Sequence, residues 1–226
     1  MMVGILTHYD VNNQGAQLQM YALYKRLEEL GHSPKLLTYR KNYDFNINEN
    51  FKNQVSIKSI PFFLKNYLIK KGLGLTLHNA RKYKVNQKYR LTTFKYENYA
   101  IADIDIAVVG SDEVFSLESG VNIMMYGHAV NTDNIISYAP SFGQTDINRI
   151  EKCHCRNLIS SGLSKIKAIS AIDDNTMEMI EKLIGIEPTI VCDPVLLYDF
   201  ANTHVKFDLP KQKYLIVYAY DRKKRN

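Results

Sequence analysis

Apolar and polar positions change period repeatedly along this chain, and those changes mark its elements. Met2–Thr7 is a continuous apolar run, followed by a polar loop through Asn12, Asn13, Gln14 and Gly15. Ala16, Met20, Leu23, Leu27 and Leu30 then fall three or four apart, with Lys25, Arg26, Glu28 and Glu29 mainly on the other face. This spacing predicts a helix, closed at Gly31, and Leu36–Tyr39 resumes as a second buried strand. The unit is βαβ, with a helix N-terminus beside the carboxyl end of the first strand, where open α/β sheets collect ligands.

Further along, Asn42–Asn53 is Asn-rich, aperiodic and read as a loop. Ile60, Phe63, Leu64, Tyr67 and Leu68 share one face of a predicted basic amphipathic helix ended by Gly72 and Gly74. A weaker helix is expected from about His78 to Tyr89, ahead of the β-prone Leu91–Phe94. A buried strand is predicted at Ile104–Val109, and further strands at Ile135–Ala139, Ile166–Ile172 and Thr189–Cys192. Between the last two lies a helix with Met177, Ile180, Leu183 and Ile184 on its apolar face, acidic at its start and stopped by Gly185. Alternating strands and helices imply an α/β fold with a doubly wound, mostly parallel, Rossmann-like sheet.

Tyr214–Tyr220 has the composition of a core strand, yet the sequence ends six residues later. The expected organisation is therefore one α/β domain over 1–200, carrying a basic helical insertion at about 51–95. Residues 201–226 then form a linker and the first strand of a second domain otherwise missing.

Composition adds three limits. At 226 residues and 46% hydrophobic the chain can bury a real core. Three cysteines provide no disulfide framework, and no charged and apolar leader precedes the first strand, so a cytoplasmic location is expected. No apolar run nears the 18 or so residues of a membrane span. The net charge of +6 is local in origin: residues 51–95 hold eleven Lys or Arg and no acid, leaving 18 basic against 23 acidic residues elsewhere. Such a block suits a polyanionic partner or an anionic surface, or is simply a solvated face.

Candidate chemistry gathers after the strands. Asn12, Asn13 and Gly15 suit anion or sugar recognition, and equally suit a turn with a helix cap. Gly110-Ser111-Asp112-Glu113 follows a buried strand, so Ser111 and Asp112 stand at the same sheet edge. A carboxylate there can orient or deprotonate a sugar hydroxyl, or else cap the next helix. His8 is the other catalytic candidate because imidazole titrates near neutral pH. Cys153-His154-Cys155 lies on a predicted helix where residues two apart diverge, and no metal site is expected. Neither a P-loop nor a G-x-G-x-x-G fingerprint is present.

Five stretches, GILTHYDVNNQGAQLQMYAL (4–23), VGSDEVF (109–115), ISYAPSFG (136–143), Ile169-Ser170 and CDPVLL (192–197), together resemble the polysaccharide pyruvyl transferase family. The resemblance implies the N-terminal, acceptor-side half of a two-domain architecture like that of B-type glycosyltransferases. It also implies transfer of a pyruvyl group from phosphoenolpyruvate, a donor substrate, to a sugar of a cell-surface or exopolysaccharide, with no cofactor. The substrate-binding candidates become Asn12, Asn13, Gly15, Gly110, Ser111, Asp112, Ser137 and Tyr138, with His8 and Asp112 as catalytic candidates. The partner implied is a sugar or lipid-linked oligosaccharide acceptor; separately, the basic amphipathic character of 51–95 predicts weak contact with an anionic membrane at its inner face, and no nucleic acid is expected. Two departures stand out: Ala171-Ile172-Asp173 where the family usually places Arg and an acid, and Phe115 in place of the commoner Trp. The alternatives are a chain without full activity, a non-catalytic carbohydrate-binding or regulatory module, and a nucleotide-sugar glycosyltransferase.

Overall fold

The computed structural model describes residues 1–40, 72–202 and 212–215. The loop expected at 42–53, the basic amphipathic helix before Gly72 and most of the strand expected at 214–220 lie outside them.

Period-2 alternation in the short strands builds the centre. Strand β1 (Met2–Leu6) sends Val3 and Ile5 to one face and Leu6 to the other; β2 (Ser33–Thr38) splits Leu36 from Leu37 in the same way. With β3 (Tyr96–Asn98), β4 (Ile106–Val109) and β5 (Ile135–Ser137) they form a five-stranded parallel sheet in the order β3-β2-β1-β4-β5. The chain thus starts in the middle, winds outward one way and then the other, and changes direction between β1 and β4.

Both faces are covered. Helix α1 (Gln14–Glu29) brings Met20, Leu23 and Tyr24 onto Val3, Ile5, Leu36 and Val108. Gly31, at φ +80°, ends the α1 region as the sequence implied. Helix α2 (Gly72–Thr93) leads into β3. It corrects two expectations, since Gly72 and Gly74 lie at its start and Leu91–Thr93 are helical, not extended. Tertiary contacts decide the second point: Phe94 is buried and packs edge-on against Tyr24 at 5.1 Å, while Arg90 is buried one turn earlier.

On the opposite face lie α3 (Ile147–Lys152), α4 (Arg156–Leu163) and α5 (Asp174–Ile184). Ile159, Leu163, Met179, Ile180 and Leu183 pack there with Leu6, Leu37, Val109, Phe115 and Tyr126. Cys153-His154-Cys155 does not lie on one helix: His154 sits at φ +52° in the break between α3 and α4. Asp173 N-caps α5 and Gly185 stops it at φ +70°, both as expected.

The last two strands, β6 (Ser170–Ala171) and β7 (Thr189–Ile190), are shorter than the apolar runs that contain them. Two hydroxyls help join them to the main sheet: Ser170 N donates to Ser137 Oγ at 2.9 Å, and Ser170 Oγ donates to Ser137 O at 2.9 Å.

Candidate functional site

The carboxyl ends of β1 and β4, where the winding reverses, meet in one set of hydrogen bonds. Gly110 N donates to Leu6 O at 2.9 Å, and Thr7 Oγ1 donates to Ser111 O at 3.0 Å. His8 Nε2 lies 3.1 Å from Glu113 O, a carbonyl that only accepts, so this nitrogen carries the proton; Nδ1 faces Tyr39 Oη at 3.3 Å. Both ring nitrogens are engaged and the ring is buried. His8 therefore braces the ends of β1 and β2 against the turn after β4.

That turn is tightly specified. A Cβ at Gly110, where φ is +119°, would lie 2.1 Å from Tyr138 O, so no side chain fits. Asp112 sits at φ +80°, with its carbonyl accepting from Val114 N at 2.7 Å and from Ser141 N at 2.9 Å. Its Oδ1 accepts from Glu113 N at 2.9 Å. Neither Ser111 nor Asp112 caps a helix, since the next helical turn, Leu117–Ser119, is capped by Ser116. The Glu113 carboxylate lies against Gly143, within 2.8 Å of where a Cβ would stand. The turns after β4 and β5 thus close on each other.

The loop before α1 is equally committed. Asn13 Oδ1 accepts from Gly15 N at 2.9 Å, the helix cap foreseen as the alternative to ligand binding. Asn12 Oδ1 accepts from Asn86 Nδ2 at 2.7 Å. Arg90, buried on α2, donates to Val11 O at 3.0 Å and to Asp10 Oδ1 at 2.7 Å. Arg90 and Asn86, four apart on one helix face, are the determinants that a reading of the loop alone misses. Ser137 joins β5 to β6, and Tyr138 Oη donates to Cys192 O at 3.1 Å, its pKa pushed up to about 12 by burial and by Cys192.

Asp173 stands where the resemblance expected a basic neighbour. Its Oδ1 accepts from Thr176 N at 2.7 Å and its Oδ2 from Ser141 Oγ at 2.6 Å. Asp193 Oδ2 accepts from Gln19 Nε2 at 2.5 Å, which ties the segment after β7 to α1. A cavity of about 360 Å³ opens at the other edge of the sheet, between Gly127 and Ile135 beside Lys165, and carries none of these groups. Among the described residues, no cluster of three or more His, Cys, Asp or Glu is placed to hold a metal ion.

The sequence matches the family described as polysaccharide pyruvyl transferase over residues 13–226. The chain belongs to that family. In this polysaccharide pyruvyl transferase family member the stretches that carry the resemblance, 4–23, 109–115, 136–143 and 192–197, hold the contacts just described. Neither a search of curated proteins nor one of solved structures returned a match.

Proposed function

We propose that this member of the polysaccharide pyruvyl transferase family transfers the pyruvyl group of phosphoenolpyruvate to a cell-surface or exopolysaccharide sugar. In this reading the edge at β1 and β4 seats the acceptor. The observation that carries the proposal is a turn of fixed backbone that presents Asp112 and Glu113 at the sheet's switch point. The carboxylate of Asp112 takes a proton from one sugar hydroxyl as that oxygen bonds to the enol carbon and the donor's methylene gains a proton. A second hydroxyl then bonds to the same carbon as that carbon's bond to the phosphate oxygen breaks, and phosphate leaves carrying that hydroxyl's proton, which closes the ketal.

The loops after β4 to β7 (110–116, 138–146, 172–173 and 191–193) contain no Lys or Arg. Cations for the donor's phosphate and carboxylate therefore come from elsewhere, in keeping with an acceptor-side domain of a B-type, two-domain glycosyltransferase-like architecture. Asn12, Asn13, Gly15, Ser137 and Tyr138 shape this edge, and His8 positions the turn. No cofactor enters this scheme.

The test supplies the protein with phosphoenolpyruvate and a panel of sugars, following phosphate release and the ketal methyl signal by NMR. The two products are expected to appear in equal amounts, and Asp112→Asn is expected to slow both by roughly a hundredfold. Ketal formation indifferent to Asp112 would remove the assigned role. Glycan binding without transfer would favour a non-catalytic carbohydrate-binding module, and hydrolysis of a nucleotide sugar would favour a glycosyltransferase.

A further inference from the structure

The cavity at the opposite edge of the sheet, ahead of β5 and β6, combines an apolar wall with two charges of opposite sign. Ala129, Val130 and Ile135 supply the wall, and Thr132, Asp133 and Lys165 complete the lining of its roughly 360 Å³. That size and mixture suit one small molecule and not a glycan chain.

Both charges are held on fixed supports. On α4, Gly162 lets His128 approach closely, since a Cβ there would stand 2.6 Å from His128 Nε2. His128 Nε2 donates to Leu158 O at 2.8 Å, a carbonyl that only accepts, which leaves Nδ1 bare. Lys165 Nζ donates to that Nδ1 at 3.1 Å. A neutral imidazole orients the ammonium without cancelling its charge, as a carboxylate would. Asp133 stands on a turn pinned to Asp105 O by Thr132 Oγ1 at 3.2 Å and by Asn134 Nδ2 at 3.1 Å. Among the described residues, Lys165 and Asp133 form an ion pair neither with each other nor with any other group.

Two opposite charges at one cavity, each supported and neither neutralised, are complementary to a molecule that carries both. A phosphate or a simple carboxylate would satisfy Lys165 and be repelled by Asp133. We propose that this cavity binds a small zwitterion, an α-amino acid with a branched apolar side chain. Its carboxylate lies against Lys165, its ammonium against Asp133, and its side chain on Val130 and Ile135. The site is separate from the acceptor edge and stands independently of the transfer reaction.

The test titrates the full chain at neutral pH and low salt with leucine, with 4-methylpentanoate, which lacks the amine, and with 3-methylbutylamine, which lacks the carboxylate, following amide shifts by NMR. Leucine is expected to bind about fivefold or more tighter than either analogue, to shift amides of 127–135 and 165, and to lose its advantage as salt is added. Lys165→Met should bring leucine to the affinity of the amine, and Asp133→Asn to that of the carboxylate. Both side chains are exposed, so the melting temperature should hold in each variant. Leucine binding no tighter than either analogue overturns the recognition of a zwitterion. A preference for leucine that survives both substitutions, or shifts confined to other residues, overturns the assignment to this cavity. No binding of any of the three overturns the proposal outright and leaves the acceptor reading untouched.

Discussion

Gly110 and Gly143 both have left-handed backbone, but one added carbon meets different neighbours. At Gly110 it would lie 2.1 Å from the Tyr138 carbonyl, part of the main chain that links β5 to its turn. At Gly143 it would meet the far end of the Glu113 side chain, which can swing aside. Gly110→Ala is therefore expected to cost about 3 kcal/mol or more, and Gly143→Ala about 1 kcal/mol, as measured by urea denaturation. Equal costs would mean that the contact with Tyr138 is not what fixes Gly110. Residue type and spacing made the Asn13 cap, the Asp173 cap and the Gly31 and Gly185 stops legible in the sequence, because each is a local rule. The engagement of both His8 nitrogens was not legible, since it depends on Tyr39 and Glu113, 31 and 105 positions away.

Helix α2 shows how one element disciplines another. Arg90 is 3% exposed and reaches the carbonyl of Val11 and the carboxylate of Asp10, so the loop before α1 is held from a helix some eighty residues later. Arg90→Met keeps the bulk of the stem and removes the guanidinium. It is expected to cost about 2 kcal/mol, less than a fully buried pair because Asp10 remains half exposed, and to speed amide exchange at residues 10–16. Unchanged exchange there would show that the Asn13 cap alone orders the loop. The sequence pattern placed the end of α2 too early, since β-branched and aromatic residues at 91–94 weigh toward strand until Phe94 and Arg90 are given partners. The opposite error occurred at β6 and β7, where apolar runs of seven and four residues form only two-residue ladders.

Across the whole molecule, basic charge is unevenly spread: residues 51–95 hold eleven Lys or Arg and no acid, a block that begins beyond β2. Its described part, α2, has no acidic residue and exposes Leu77, Val85 and Leu91 among Arg81, Lys84 and Lys88. No described helix is long and apolar enough to cross a membrane. We propose contact of this block with an anionic membrane surface, where apolar and cationic side chains are jointly satisfied. In liposome flotation the chain is expected to rise with vesicles containing phosphatidylglycerol and to be released by added salt; no flotation would leave a solvated face. The central parallel strands β1 and β4 were evident from unbroken apolar runs, whereas the exposure of β7 and the join between β5 and β6 were not. That join is made partly by the hydroxyls of Ser137 and Ser170, each meeting the other's main chain. Hydrogen bonds of this kind act as an address: a one-residue slip of the last strands would present the wrong face and leave both hydroxyls unmatched, so the pair selects a single register where the backbone ladder is too short to do so alone.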